Sequence, residues 1–271
     1  MASLGLSQTA LRLSVQTLKT TTRSASQAVS PPSPSPNPLW LTTIKRRIGR
    51  CLMFGLNPPQ IHAAGSLLAI LARDWRGFLV GSEGFLVDTA VSQDVTWGEM
   101  LSHVNNVTYV RYAESARVNL MRRIAHLDPD HASEWRQLVG STAVGLILRS
   151  IKVDYKFPMT YPDRITVYHK LAQPCETAQP AFEFQVVILS EARQRPAARC
   201  QEDIVTYDYR LGRKTAALPP FMLSQFRAMW DAQLAAREEW CTRTAEIERL
   251  VRGLEVDSWD RPDAVEDMGT A

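Results

Sequence analysis

The sequence predicts an α+β fold in which an antiparallel sheet wraps around one long, nearly buried helix. Two observations predict it. Apolar residues recur at helical spacing over 105–126, and the period then changes to two in four segments, 143–155, 163–172, 181–191 and 197–210. Pro or Gly bounds each segment, as antiparallel hairpins require. A single helix among such strands must be covered by the sheet, and this arrangement is called the hotdog fold.

The outer elements follow from their own patterns. Residues 84–92 predict a strand ahead of the central helix, and 93–104 predict a loop. Within 143–155, the alternation puts Ile147, Ile151 and Val153 on one face. Residues 221–254 start after two prolines and predict a second long helix. Because such a sheet covers its helix on one side only, we expect these domains to pair as a homodimer or tetramer.

Charge is distributed unevenly along the chain. The first acidic residue is Asp74, and residues 1–73 carry eight basic side chains, whereas the remaining 198 residues carry 23 basic and 28 acidic ones. A mildly acidic body disfavours a nucleic-acid partner. Residues 1–30 are basic, hydroxyl-rich and amphipathic, which is typical of a mitochondrial transit peptide. Mitochondrial localisation is therefore expected, with a disordered tail on a cytoplasmic protein as the alternative.

Residues 39–56 predict a basic amphipathic helix after a proline-rich linker. This helix could contact an anionic membrane surface, but packing against the main domain is the preferred interpretation. The apolar run 63–72 is too short to span a bilayer, so no transmembrane segment is predicted. The predicted domains are a leader and linker (1–38), a helical extension (39–77), the hotdog domain (78–215), a C-terminal helical extension (216–258) and an acidic tail (259–271).

The densest group of polar residues lies in 94–109, in the loop before the central helix and in its first turn. Asn105 or Asn106 can cap that helix. Amides in the first turn of a helix lack partners within it, and the helix dipole adds partial positive charge. A carbonyl directed at this end would be polarised, and an oxyanion formed from it would be stabilised. A carboxylate and an imidazole within reach would complete an acyl-transfer site.

One motif reads His103-Val104-Asn105-Asn106-Val107-x-Tyr109, followed by Tyr112, Glu114 and Arg117. It resembles the acyl-CoA and acyl-carrier-protein thioesterases of the hotdog superfamily, most closely the 4-hydroxybenzoyl-CoA thioesterase-like branch. The strand order extends the resemblance to roughly 84–212. The family usually has Asp-x-Asp-x-x-x-His, with the catalytic carboxylate four positions before His. Here that position holds Glu99, one methylene longer, and the position of the first Asp holds Trp97.

The resemblance implies hydrolysis of a thioester. Glu99 would attack the thioester or activate a water, and His103 would orient the substrate or help with protons. Asn105 would bind the thioester or align the carboxylate. The helix-start amides at Asn106 and Val107 would hold the oxyanion. The implied partner is an acyl-CoA or acyl-carrier-protein thioester, bound in a cleft between two subunits. No metal or organic cofactor is implied, since the acid, the amides and water suffice.

Several positions keep a second interpretation. Glu114 is the second-choice base, because some hotdog thioesterases carry theirs on the helix, yet it can also pair with Arg117 three residues later. Residues 126–131 contain metal-ligand residue types, but Pro129 between them indicates a turn. Without the resemblance, Glu99 is a solvated loop acid. CoA phosphates would need basic side chains near the cleft, and the candidates are Arg149, Lys152, Arg164 and Lys170.

The alternative function is a non-catalytic hotdog protein. It would bind an acyl chain, or serve as a structural subunit of a mitochondrial assembly through its long end helices. The missing first Asp and the large extensions at both ends favour this alternative. In that case His103 and Asn105 would serve only as a turn residue and a helix cap.

Overall fold

In the computed structural model, residue 37 and residues 39–95 and 102–266 are described, and all belong to one compact unit, residues 33–271. Short 3-10 turns follow α2, precede β1 and follow α3. The elements in chain order are α1 (Trp40–Met53), α2 (Pro58–Val80), β1 (Val91–Asp94), α3 (Asn106–Leu127), α4 (Ala132–Gln137), β2 (Val144–Tyr155), β3 (Arg164–Leu171), β4 (Ala181–Ser190), β5 (Arg195–Asp208), β6 (Arg213–Lys214) and α5 (Pro220–Asp257).

Helix α3 is the central helix that the apolar spacing predicts over 105–126. Its 22 residues make a rod of about 33 Å. The cap is Asn105, whose Oδ1 accepts a hydrogen bond from the Val107 amide at 3.1 Å. The side chains that face the sheet are aromatic, small or aliphatic, so the helix lies close to the strands. They include Tyr109, Tyr112, Ala113, Ala116, Leu120, Met121 and Ile124.

The sheet has the order β1-β3-β4-β5-β2, all antiparallel, with β6 paired to β5. The four predicted strands 143–155, 163–172, 181–191 and 197–210 are confirmed within two residues at each end. The inner face of the sheet packs against α3 through alternate residues such as Phe184 on β4 and Ile204 on β5. The fold is therefore a hotdog, with helices added before and after it.

One face assignment is wrong because β2 contains a bulge. The register with β5 shifts between Leu148 and Ser150, so β2 has one extra residue there. The bulge reverses the alternation, and Leu146 and Leu148 before it share the core with Ile151 and Val153 after it. Ile147, which the simple alternation groups with Ile151, therefore points away from that core.

The predicted strand over 84–92 is wrong for most of its length. A 3-10 turn ends at Gly84, whose φ of +89° lies in the left-handed region that glycine tolerates. Phe85 is fully buried in the second core, and another 3-10 turn covers Val87–Thr89. Only β1 pairs with the sheet, with Val91 opposite Val167. The apolar residues of this segment therefore serve different contacts, since Phe85 is buried in the second core whereas Leu86 and Val91 pack against the core around α3.

A layer of helices covers the outer face of the sheet. Tyr168 of β3 and Val187 and Leu189 of β4 point outward and form a second hydrophobic core with α1, α2 and the C-terminal half of α5. Trp40 and Ile44 on the apolar face of α1 are buried there. The preferred interpretation of residues 39–56 is confirmed, and the membrane alternative loses the exposed apolar face that it needs.

Helix α5 belongs to both cores. It is longer than the predicted 221–254, and its 38 residues extend about 57 Å. Phe226 near its start packs in the core around α3, whereas Val251 near its end packs in the core under α1 and α2. No helix of the described ranges combines the length and hydropathy needed to span a membrane. The predicted domain boundaries stay predictions.

Candidate active site

The start of α3 is fixed by hydrogen bonds to the segment between β2 and β3. The amide of buried Val104 donates to the carbonyl of Met159 at 2.8 Å. The Met159 amide donates in turn to the hydroxyl of Tyr109 at 3.2 Å. Burial raises the pKa of the Tyr109 hydroxyl, so this group stays neutral at physiological pH. The first turn of the helix is thereby held at one end of the sheet.

The amides of this first turn are not equivalent. Asn105 accepts from the Val107 amide with its side chain and from the Thr108 amide, at 3.0 Å, with its carbonyl. The amide of Asn106 has no hydrogen-bond partner among the residues described. Of the two predicted oxyanion donors, the cap already occupies Val107, whereas none of the described residues binds the amide of Asn106.

Tyr155 reaches this site from β2, and sequence reasoning did not single it out. Its hydroxyl donates to the carbonyl of Asn106 at 3.1 Å, and its ring meets that of Tyr109 edge-on with centroids 5.2 Å apart. The peptide between Asn106 and Val107 is therefore held at both ends, by Tyr155 at the carbonyl and by Asn105 at the amide. Periodicity placed Tyr155 on a strand, but it carries no information on which helix turn that strand end meets.

His103 lies on the surface just before the helix. Its neighbour Ser102 has a φ of +74°, and the Ser102 hydroxyl lies 3.3 Å from Nδ1 of His103. An exposed imidazole at this position can reach a ligand at the helix start. Glu99, the predicted catalytic carboxylate, lies in 96–101, outside the described residues.

The predicted pair between Glu114 and Arg117 is replaced by a buried pair. Arg117 Nη1 lies 2.6 Å from a carboxylate oxygen of Glu202 on β5, and Glu114 is exposed on α3. His169 of β3 lies 3.4 Å from the other oxygen of Glu202. Burial would raise the pKa of Glu202, but His169 and Arg117 outweigh it and hold that pKa below its ordinary value.

The sequence contains a signal for this buried triad of Arg117, His169 and Glu202. Arg117 follows Ala113 and Ala116 on the buried side of α3, and Glu202 alternates with the buried residues Cys200 and Ile204 of β5. A charged residue in phase with core residues on two elements indicates a buried ion pair.

The segment 126–131 is a structural turn, as Pro129 indicates. Trp135 of α4 donates its indole N–H to Asp128 at 2.9 Å, and His131 lies 3.1 Å from the same carboxylate. These contacts, led by the indole hydrogen bond, lower the pKa of Asp128. Within the described part of the chain, no group of His, Cys, Asp and Glu side chains could hold a metal ion.

The basic candidates for CoA phosphates have different surroundings. Arg149 pairs with Asp203 at 2.5 Å, and Arg164 lies 3.4 Å from Asp94 at the exposed end of β1. Lys152 is exposed. Lys170 points to the outer face of the sheet, where its amine bonds the Glu83 carbonyl and lies over the Phe85 ring, and burial lowers its pKa.

Residues 95–226 match the family model of the thioesterase-like superfamily. This region is a hotdog domain of that superfamily. The matched range begins just before residues 96–101, which include Glu99, contains α3 and β2 to β5, and ends in the first turns of α5. The hotdog domain therefore contains every residue predicted for the site.

Solved structures with similarity to the hotdog domain include three thioesterase or CoA-bound proteins. A thioesterase from Thermus thermophilus, solved with coenzyme A and Zn, is 22% identical and covers 52% of this chain and 92% of its own, with a TM-score of 0.39. A 1,4-dihydroxy-2-naphthoyl-CoA thioesterase from Synechocystis is 17% identical, with coverages of 51% and 93% and a TM-score of 0.40. A Staphylococcus aureus protein in complex with CoA is 12% identical, with coverages of 54% and 85% and a TM-score of 0.44. No curated protein matches the sequence.

Proposed function

We propose that this protein hydrolyses the thioester of an acyl-CoA or an acyl carrier protein at the start of α3. The observation that carries the proposal is the superfamily match over 95–226, because the polar residues at the helix start lie within it. The open amide of Asn106 supports it further. An amide at a helix start, already oriented before the substrate arrives, stabilises an oxyanion without reorganisation.

In the proposed reaction, Glu99 acts as general base. It takes a proton from a water molecule while the water oxygen bonds to the thioester carbon, and the carbonyl oxygen becomes an oxyanion held by the Asn106 amide. When the intermediate collapses, the carbon–sulfur bond breaks. Glu99 returns its proton to the leaving thiolate, so the products are a carboxylic acid and a thiol. His103 would orient the substrate from the surface beside the helix.

The peptide after Asn106 contributes rigidity to this proposal. Because Tyr155 binds its carbonyl and Asn105 binds its amide, this peptide is fixed in orientation. A fixed first turn holds the neighbouring Asn106 amide on the reacting oxygen, and small errors in such positions cost rate steeply. Glu114, exposed one turn beyond Val110, stays the second-choice base.

A homodimer is part of the proposal. Strand β2 lies at the edge of the sheet and pairs with β5 alone among the described strands. An open edge of this kind is a template for pairing with a second copy. A second subunit seated there would bring its strands toward the start of α3 and form the wall of a cleft. Sedimentation equilibrium tests this expectation, and a monomer at all concentrations would contradict it.

A second candidate is a non-catalytic acyl-binding or structural subunit. Two observations favour it: the cap already occupies the Val107 amide, and a layer of three helices covers the outer face of the sheet. Such a layer is a large surface for contacts with other proteins. In this case acyl-CoA would bind without turnover.

The experiment that separates the candidates is an assay of the full chain on acyl-CoAs of increasing chain length, with a thiol reagent reporting CoA release. Hydrolysis of one chain-length class supports the enzyme. Binding of the same acyl-CoAs by calorimetry, with no thiol release, supports the second candidate. If the folded protein neither releases CoA nor binds acyl-CoA, both candidates are contradicted.

We also propose that residues 1–30 direct the protein to mitochondria. Their basic, acid-free and amphipathic composition supports this proposal. Residues 1–38 fused to a fluorescent protein should localise to mitochondria. A matched fusion with Arg12, Lys19 and Arg23 changed to Gln should stay in the cytosol, and a cytosolic signal from the unchanged leader would contradict the proposal.

A further inference from the structure

A cavity separate from the candidate active site lies where the basic side of α1 meets the C-terminal end of α5. Its volume is about 400 Å³. Arginines dominate its lining, together with one hydroxyl, one carboxylate and one indole. The lining residues are Thr43, Arg46, Arg47, Arg50, Glu255 and Trp259.

The carboxylate in this cavity is already neutralised. Arg47 binds Glu255 through two parallel hydrogen bonds, with Nε at 2.7 Å from one oxygen and Nη2 at 2.9 Å from the other. Arg47 also pairs with Glu248, and Arg252 lies 3.5 Å from Glu255. These contacts, the Arg47 hydrogen bond first, lower the pKa of Glu255, so it stays ionised and paired. The net positive charge of the cavity therefore comes from Arg46 and Arg50.

Arg46 and Arg50 lie one helical turn apart on the same face of α1, and Thr43 precedes Arg46 by one turn. The guanidinium of Arg50 is 3.8 Å from the centroid of the Trp259 ring, a cation–π contact that fixes its position. Within the described structure, Arg46 forms no ion pair. Two cations and a hydroxyl thus face one cavity, and neither cation forms an ion pair with an acid of the described residues.

Trp259 completes the lining through its ring. Its Nε1 is buried and has no hydrogen-bond partner in the described residues. The contribution of this residue to the cavity is therefore the ring face, which holds Arg50 in place.

We propose that this cavity binds a phosphate monoester through Arg46, Arg50 and the Thr43 hydroxyl, with the Trp259 ring holding Arg50 in position. Guanidinium groups match the geometry of phosphate oxygens, and a dianion matches two unpaired cations. The volume exceeds that of phosphate alone, so it leaves room for the molecule that carries the group. That molecule is either a soluble phosphate ester or the headgroup of phosphatidic acid, since the chemistry recognised is the same.

The test uses the full chain and two probes. Calorimetry measures binding of inorganic phosphate, with acetate at equal ionic strength as the control anion. Flotation measures binding to phosphatidylcholine vesicles with and without phosphatidic acid. Arg46→Gln and Trp259→Phe are the test variants, because Arg46 is exposed and Phe keeps the ring under Arg50. Arg249→Gln, exposed on α5, is the matched control.

We expect phosphate to bind in preference to acetate, and Arg46→Gln to weaken it at least about tenfold. Trp259→Phe should weaken it less, and Arg249→Gln should leave it unchanged. Flotation that depends on phosphatidic acid and on Arg46 assigns the ligand to a lipid, and phosphate binding without flotation assigns it to a soluble ester. No binding of either probe, or an equal loss in Arg249→Gln, would overturn the proposal.

Discussion

Glu202 and its partners show how a single buried residue ties the central helix to the sheet. Its carboxylate lies between Arg117 of α3 and His169 of β3, and all three side chains are buried or nearly so. Nη1 of Arg117 and Oε1 of Glu202 lie close together but do not form a well-aligned hydrogen bond. The attraction between the two side chains is therefore mainly electrostatic. Such a buried ion pair adds little to the free energy of unfolding when it is intact, but removing one partner is costly because the other charge stays buried without a counter-charge.

Replacing Glu202 with Leu should destabilise the protein by about 3–5 kcal/mol, because it leaves Arg117 buried without a counter-charge. Urea unfolding followed by circular dichroism measures the change. The double variant Glu202→Leu, Arg117→Met should recover much of the loss, since it removes both charges. A single variant as stable as the wild type would contradict this account of the triad.

The same carboxylate predicts an acid-dependent loss of stability. Its pKa in the folded state is held below the ordinary value of 4.5. The contribution to stability is therefore complete above that value and is lost as the pH falls through the lower pKa of the folded state. The free energy of unfolding, measured from neutral to acidic pH, should fall less steeply for Glu202→Gln than for the wild type. The same dependence of unfolding free energy on acidic pH in both proteins would show that folding does not change the pKa of Glu202.

Asn105 should separate stability from activity. Asn105→Ala removes the acceptor for the Val107 amide and should cost about 1 kcal/mol of stability. Asn105→Asp keeps an acceptor, and its charge favours the helix start, so stability should be retained. Because that charge would repel an oxyanion, Asn105→Asp should still lower kcat on any acyl-CoA that the wild type hydrolyses. Full activity of the Asp variant would argue against an oxyanion at this turn.

At the scale of elements, α2 and α5 approach closely where an indole lies on glycine. A Cβ added to Gly77 would lie 2.1 Å from the Trp240 ring, and one added to Gly81 would lie 2.3 Å from it. Both distances are far below contact, so the two glycines, one turn apart on the same side of the chain, make room for Trp240. This contact joins the helix before the hotdog domain to the helix after it.

Gly77→Ala should therefore destabilise the protein by about 1–3 kcal/mol. Gly65, in the same helix, has no atom within 4 Å of its Cβ position, so Gly65→Ala should stabilise by up to about 1 kcal/mol. Thermal unfolding of both variants measures the contrast. In a Trp240→Ala background the penalty of Gly77→Ala should shrink, and an unchanged penalty would place the strain elsewhere.

The elements that sequence patterns predicted well are those with one clear period. Helix α3 and strands β3 to β5 carry regular apolar spacing, so spacing locates them, although β3 and β4 are buried on both faces. Two elements deviated for local reasons. The bulge in β2 reverses the alternation after Leu148, and Phe85 is buried in a second core while its neighbour Leu86 packs against the first. Neither a bulge nor a second core leaves a periodic trace in one sequence.

For the whole molecule, the sequence predicted the hotdog arrangement and the packing of 39–56 against it, but not that α1, α2 and α5 together cover the outer face of the sheet. A helix of 38 residues joins the core around α3 to the core on the outer face of the sheet. The predicted site residues Asn105, Asn106 and Val107 do meet at the start of α3, whereas Tyr155 was missed. It comes from a strand 49 residues away in sequence, and only the folded chain brings it there.

The most direct test of the proposed function is kcat on the preferred acyl-CoA for wild type, Glu99→Gln and Glu99→Asp. If Glu99 is the general base, Glu99→Gln should lower kcat by about 100-fold or more with the fold intact. Glu99→Asp, which restores the residue usual in the family, should retain measurable turnover, and the matched control Glu114→Gln should be unaffected. Full turnover by Glu99→Gln, or loss of turnover in Glu114→Gln instead, would contradict the assignment.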